Sequence, residues 1–125
     1  MEDVQIILSA LWAALMLTYL LGDVMRIFSG DFVPGEMAGE KATQRTWLIA
    51  ALLMLIPIVM VVLTLVWPNP VIGWLTIICA VFLLLFNLAG LRSYPSHYDR
   101  FLIIVGLVFN IVTIWYAWNW LVGLF

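Results

Sequence analysis

Residues 47–91 read WLIAALLMLIPIVMVVLTLVW-PNP-VIGWLTIICAVFLLLFNLAGL, and this stretch decides the fold. It contains no Asp, Glu, Lys or Arg, and only Pro68-Asn69-Pro70 divides it. Each half is about 20 residues long, which is enough for a helix to cross a hydrocarbon core of about 30 Å. Clustered Pro and Asn favour a tight turn. The stretch therefore predicts two membrane-spanning helices, Trp47–Trp67 and Val71–Leu91, that form an antiparallel hairpin.

Two further apolar runs flank this hairpin, Val4–Phe28 before it and Phe101–Phe125 after it. The chain of 125 residues is 66% hydrophobic and 10% charged. A water-soluble domain of this size buries only part of its surface, so it could not hide so many apolar side chains, whereas a lipid bilayer can surround them. The sequence predicts one all-α domain over residues 1–125, a four-helix transmembrane bundle whose main partner is the bilayer. A net charge of −2 gives no basic footprint for nucleic acid.

The positive charges are distributed on one side of this predicted bundle. The N-terminal tail, the Pro68-Asn69-Pro70 turn and the C-terminus contain no Lys or Arg. Cytoplasmic connections of membrane proteins carry an excess of these residues. We therefore expect a multi-pass protein of the cytoplasmic (inner) membrane, with both termini outside the cytoplasm. The first and third connections contain or border all five basic residues: Arg26, Lys41, Arg45, Arg92 and Arg100.

Small residues recur at helical spacing and predict the buried faces. Membrane helices associate through small residues that let their backbones approach closely. We expect these faces inside the bundle, and a homo-oligomer seam on the first helix is the open alternative. The faces comprise Ala10, Ala14, Thr18 and Gly22 in the first run, Thr76, Ala80, Asn87 and Gly90 in the third, and Gly106, Asn110, Thr113 and Ala117 in the fourth.

Polar side chains inside the apolar runs indicate a candidate site, because such groups are costly in a bilayer unless partnered. Tyr19, Asp23 and Arg26 share one face of the first helix. Asp23 either forms an interfacial ion pair with Arg26 or serves as the base of a ligand or proton site. Asn87 lies at a similar depth, where its amide could donate to the Asp23 carboxylate. Asn110 is nearly mid-membrane, and it either bonds between helices or lines the same site.

The third connection adds Tyr94, His97, Tyr98, Asp99 and Arg100 at the same end. His97 is the single histidine and could serve as an acid or base, but one histidine is too few for a zinc site or a bis-histidine haem. The chain contains no P-loop or nucleophile elbow. We therefore predict no cofactor, no metal and no catalytic set. The candidate ligand-binding residues are Tyr19, Asp23, Arg26, Asn87, Tyr94, His97 and Asn110.

Two segments carry a resemblance to a known group of proteins. Leu17–Phe32 (LTYLLGDVMRIFSGDF) and Ser93–Ile104 (SYPSHYDRFLII) resemble a family of small prokaryotic four-helix integral membrane proteins of unknown function. The likeness runs through most of the chain, and it implies a fold and a membrane location without an activity. The chain is also similar to the broad DoxX-like group of four-span proteins, but only in its number of spans.

Three functions are compatible with these features. The first is a protein that binds or transports a small molecule or ion, which predicts that Asp23 and Asn110 face a common cavity. The second is an accessory or scaffold subunit that stabilises a partner, which predicts a tight bundle without a pocket. The third, and least favoured, is an enzyme acting on a lipid or quinone, which requires Asp23 and His97 within reach of one substrate.

Overall fold

Four helices make up almost all of the computed structural model, which describes residues 3–30, 36–37, 40–41, 43–90 and 97–123. The helices are α1 (Asp3–Ser29), α2 (Gln44–Val66), α3 (Val71–Gly90) and α4 (His97–Leu121). Two strands of two residues, β1 (Glu36–Met37) and β2 (Glu40–Lys41), pair antiparallel between α1 and α2. All four helices are long and apolar enough to cross a membrane. The predicted all-α four-helix transmembrane bundle is therefore confirmed.

The helices extend beyond the apolar runs at their polar ends. Helix α2 starts three residues before Trp47, where Thr43 caps it by accepting a hydrogen bond from the Thr46 backbone amide at 3.2 Å. Helix α4 starts at His97 instead of the expected Phe101. The start of an apolar run marks where a helix enters lipid. The helix itself can begin several residues earlier, in the polar segment. The added first turn matters because it carries Asp99 on the helix.

The helices alternate in direction, and contacts between their ends show this. The Ser9 hydroxyl on α1 donates to the Val61 carbonyl on α2 at 2.9 Å. Asn69, in the turn between α2 and α3, donates to the Trp120 carbonyl on α4 at 3.4 Å. Helix α1 packs against α2 and α4, and α4 packs against α3, whereas α2 and α3 contact each other much less than these pairs do.

The two ends of the bundle differ in character. We call the end that holds the Asn69 turn the turn end. The opposite end, where α1 finishes and α2 and α4 begin, is called the basic end. The basic residues that the structure describes all belong to the basic end: Arg26, Lys41, Arg45 and Arg100.

The predicted buried faces are correct for α4 and mostly wrong for α1. On α4, Gly106, Asn110, Thr113 and Ala117 are all buried, as predicted, and so are Thr76 and Ala80 on α3. On α1 only Gly22 of the small-residue set is buried, while Ala10 is exposed and Ala14 and Thr18 are half-buried. Large side chains fill the space among four helices better than alanines do, so a different face of α1 turns inward. That face consists of Val4, Leu8, Trp12 and Leu15.

Candidate functional site

All four helices surround a cavity in the half of the bundle nearer the basic end, and we call it the inner cavity. Its volume is about 190 Å³, which is below the range of roughly 300–1,000 Å³ typical of pockets for drug-sized ligands. The polar residues that line it are Thr18, Tyr19, Asp23, Arg26, Asn87 and Asp99. The apolar residues that line it are Leu53, Met54, Leu83, Phe86, Leu102 and Ile103, with Gly22 completing the wall.

An ion-pair network forms one wall of the inner cavity. Arg26 donates to the Asp99 carboxylate on α4 at 2.7 Å, and it also pairs with Asp23 one turn away on α1. Its guanidinium lies across Gly22, where an added Cβ atom would be 3.5 Å from the Arg26 Nη1 atom. The predicted Asp23–Arg26 pair is confirmed. Asp99 is the additional partner, and it joins α1 to α4.

The two carboxylates of this network differ in exposure. The Asp99 side chain is only 3% exposed, whereas the Asp23 side chain is 49% exposed. A buried carboxylate is stable only when it is paired, so Asp99 is committed to Arg26. One guanidinium and two carboxylates leave one negative charge in excess. That excess is accessible at Asp23.

A second polar contact joins α1 to α3 at the inner cavity. Asn87 donates to the Tyr19 hydroxyl at 2.6 Å and to the Leu83 carbonyl at 2.8 Å. The Tyr19 ring packs over Gly106 on α4, where an added Cβ atom would lie 3.5 Å from Tyr19 Cε1. The expectation that Asn87 donates to Asp23 is therefore wrong. The Tyr19 hydroxyl reaches Asn87, and Asp23 is engaged by Arg26.

Asn110 lies deeper in the bundle than the residues of the inner cavity. It is completely buried on α4, near Tyr19, and it does not line the inner cavity. Neither the nitrogen nor the oxygen of its carboxamide meets hydrogen-bond geometry with a described residue, and the Tyr19 hydroxyl, which lies near it, is engaged by Asn87 instead. The prediction that Asp23 and Asn110 face a common cavity is therefore wrong for the inner cavity, which Asp23 lines and Asn110 does not.

Among the described residues of the third connection, Asp99 is the one that lines the inner cavity. His97 is exposed at the first position of α4 and does not line the inner cavity, while Tyr94 lies outside the described residues. The hydroxyl groups of Tyr98 and Ser29 share a hydrogen bond of 2.7 Å at the surface. Asp99 was not among the predicted site residues. Its spacing to Leu102 and Ile103, three and four residues later, places it on the helix face that lines the inner cavity.

The geometry of the inner cavity can be compared with what the enzyme and scaffold functions require. Acid–base chemistry by Asp23 and His97 requires both groups at one substrate, and only Asp23 lines the inner cavity. Among the described residues, no group of three His, Cys, Asp or Glu side chains is arranged to hold a metal ion. The scaffold alternative predicted a bundle without a pocket, and the inner cavity is contrary to that expectation.

No protein-family model, curated protein or solved structure significantly matches the chain. The resemblance to small prokaryotic four-helix membrane proteins stays a prediction. The case for a function rests on the geometry of the inner cavity.

Proposed function

We propose that this protein is a multi-pass membrane protein that binds a small organic cation in the inner cavity, as a step in the transport of that cation. Asp23 is the anionic anchor. The observation that carries the proposal is the network in which Arg26 is shared between a buried Asp99 and a half-exposed Asp23, leaving one negative charge at the wall of a cavity.

Charge selects the class of ligand. An anion would meet two carboxylates and a guanidinium that is already engaged by both of them. A cation instead gains an attraction to Asp23 that is stronger beside apolar walls than in water, because the local dielectric is low. Asp99 is too buried to meet a ligand directly, so its part is to hold Arg26 in place.

The shape and surface of the inner cavity favour an organic cation over a bare metal ion. Two aromatic side chains, Tyr19 and Phe86, line it together with Asp23. Aromatic rings attract ammonium and guanidinium groups, by about 0.5–2 kcal/mol per contact. The remaining walls are apolar and suit methyl or methylene groups. A volume of about 190 Å³ limits the ligand to a small molecule.

The same proposal includes the orientation in the membrane. The described basic residues belong to one end of the bundle, and positively charged ends of membrane proteins face the cytoplasm. We place the basic end and the inner cavity on the cytoplasmic side of the inner membrane, with both termini on the other side. Single cysteines at Gln44 and Val122, in a Cys79→Ala background, test this with an impermeant maleimide. The reagent should label V122C and spare Q44C in intact cells, and the reverse pattern contradicts the orientation.

Ligand binding is testable by the thermal stability of the detergent-purified protein. A ligand that binds only the folded state raises the melting temperature by mass action. Tetramethylammonium chloride should raise the Tm in a saturable manner. Tert-butanol, a neutral molecule of similar shape, and sodium acetate at equal ionic strength should not. Equal stabilisation by tert-butanol or acetate would contradict a cation site.

A matched pair of variants assigns this effect to Asp23. Asp23→Asn removes the excess charge at the inner cavity, whereas Asp3→Asn removes one carboxylate at the turn end of α1. We expect D23N to weaken the apparent affinity for tetramethylammonium at least tenfold and D3N to leave it unchanged. Equal responses of the two variants would show that tetramethylammonium acts through general electrostatics instead of through the inner cavity.

A further inference from the structure

Three buried side chains on three different helices have polar atoms without hydrogen bonds, unlike the other buried polar side chains that the structure describes. Trp12 on α1, Thr76 on α3 and Asn110 on α4 are each 0% exposed. The Trp12 indole nitrogen, the Thr76 hydroxyl and both polar atoms of Asn110 have no hydrogen-bond partner among the described residues. Buried polar groups in proteins are nearly always satisfied, so this cluster requires an explanation.

The missing hydrogen bonds are specific to these residues, because other Thr and Asn side chains of the bundle bond to a carbonyl of their own helix. Thr18, Thr64 and Thr113 each donate to the carbonyl four residues earlier, at 2.6–2.8 Å. Asn87 and Asn119 do the same at 2.8 and 2.9 Å. This back-bonding is the ordinary solution for such residues in a membrane helix. Thr76 and Asn110 have not adopted it.

The helix register gives the relative depths of these groups in the bundle. Gly106 on α4 packs against Leu15 on α1. One helical turn closer to the Asn69 end, Asn110 on α4 and Trp12 on α1 therefore lie at similar depth. Helices α3 and α4 are aligned by the contact of Gly73 with Leu121, which places Thr76 roughly 10 Å nearer the turn end than Asn110, at 1.5 Å per residue.

These depths continue from that of the inner cavity. Tyr19 lines the inner cavity, and its side chain lies near Asn110. Toward the turn end, the buried Thr113 on α4 lies between the levels of Asn110 and Thr76. Polar side chains therefore occur at successive depths from the inner cavity into the half of the bundle nearer the turn end, where the other buried hydroxyls, such as Ser9 and Thr64, are bonded to backbone carbonyls.

We propose that these groups form a water-binding path, in which ordered water molecules are held by Trp12, Asn110 and Thr76. Buried water typically makes two to four hydrogen bonds to protein groups that would otherwise be unsatisfied. The three side chains supply that mixture of partners, since the indole donates, the hydroxyl both donates and accepts, and the carboxamide donates twice and accepts. The path extends the polar environment of the inner cavity toward the opposite surface. It does not depend on which ligand the inner cavity binds.

Solvent exchange at the Trp12 indole tests the path directly. The full chain, uniformly labelled with ¹⁵N, is reconstituted in lipid vesicles and transferred to D₂O. Because the chain has seven tryptophans, loss of one signal in Trp12→Phe identifies the indole of interest. In a dry interior that proton exchanges only when the bundle opens, as slowly as the Leu15 backbone amide. On the proposed path it exchanges at least tenfold faster than that amide.

Variants tie the exchange to the proposed residues. Asn110→Leu removes the central water ligand and should slow exchange at Trp12 at least tenfold. Thr64→Val, which removes a buried hydroxyl on α2 that is already bonded to the Met60 carbonyl, should leave the rate unchanged. If N110L does not fold by circular dichroism, Thr76→Val replaces it, with slowed exchange again expected. Exchange at Trp12 no faster than at Leu15, or a rate that a folded N110L or T76V variant does not alter, overturns the proposal.

Discussion

The two halves of the bundle use their polar side chains differently. Toward the turn end, these side chains donate to backbone carbonyls, either in the same helix, as Thr64 does to Met60, or in a neighbouring helix, as Ser9 does to Val61. Toward the basic end, side chains of different helices also bond directly to one another, as in Arg26–Asp99 and Asn87–Tyr19.

This difference distinguishes the half of the bundle that holds the helices together from the half that has room for a ligand. Helices whose polar side chains bond to a backbone carbonyl, in the same helix or in the next one, can pack closely and leave little room between them. Helices that are held together by long polar side chains at their ends leave space behind those side chains, and the inner cavity occupies that space. The turn end therefore fixes the bundle, and the basic end is free to bind.

The largest effect should come from breaking the bridge that holds the basic end together. Arg26→Ala leaves the Asp99 carboxylate buried without a counter-charge, and removal of one partner from a buried pair typically destabilises by about 3–5 kcal/mol. We expect a loss of this size in equilibrium unfolding of the detergent-solubilised protein. The double variant Arg26→Met, Asp99→Leu should recover most of the loss, because both buried charges are then gone. A loss below about 1 kcal/mol, typical of a surface pair, would show that this bridge does not secure the basic end.

The next effect should come from the close packing of the turn end. A Cβ atom at Gly73 would lie 2.6 Å from Leu121 Cδ2 and 2.8 Å from the Asn69 side-chain oxygen. Gly73→Ala should therefore destabilise by about 1–3 kcal/mol, the usual range for overpacking. Gly106→Ala is the matched control, since its added carbon would meet Tyr19 and Leu15 at ordinary distances of 3.5 and 3.8 Å. Thermal unfolding in detergent measures both, and equal Tm values for the two variants would contradict the assigned difference in packing.

A smaller effect should come from the hydroxyl that joins α1 to α3. Tyr19→Phe removes the acceptor of a half-buried hydrogen bond from Asn87, while Asn87 keeps its bond to Leu83. The expected loss of stability is about 1 kcal/mol, the typical net value of one hydrogen bond. Tyr98→Phe is the comparison, because it removes a surface bond to Ser29 and should cost less. Both variants are to be compared by thermal unfolding under one condition, and a larger loss for Y98F would reverse the ranking.

Much of this architecture can be predicted from the sequence, because lipid imposes strong rules on length and polarity. The run from Trp47 to Leu91 is sufficient for two spans and a turn, since no other structure hides so many consecutive apolar residues. The gathering of Tyr19, Asp23 and Arg26 near one end follows from helical spacing. These features depend on one helix at a time.

Features that depend on how helices rotate against one another could not be predicted. The small residues of α1 suggested its buried face, yet Trp12 and Leu15 are buried because interior volume must be filled by large side chains. Asp99 was assigned to a connection because the apolar run begins only at Phe101. In the structure it belongs to the first turn of α4 and lines the inner cavity. The depth of Asn110 could be counted, but not whether it would reach the inner cavity.

The most direct test of a cation site at Asp23 is a crystal structure of the protein with tetramethylarsonium, whose arsenic gives an anomalous signal. We predict an anomalous peak in the inner cavity, within about 6 Å of the Tyr19 ring, the usual reach of a cation–aromatic contact, and beside the Asp23 carboxylate. The peak should be absent in Asp23→Asn crystals that are soaked identically. A peak that persists in D23N, or an inner cavity without signal when the cation is saturating, would contradict the proposal that the basic end is a cation site.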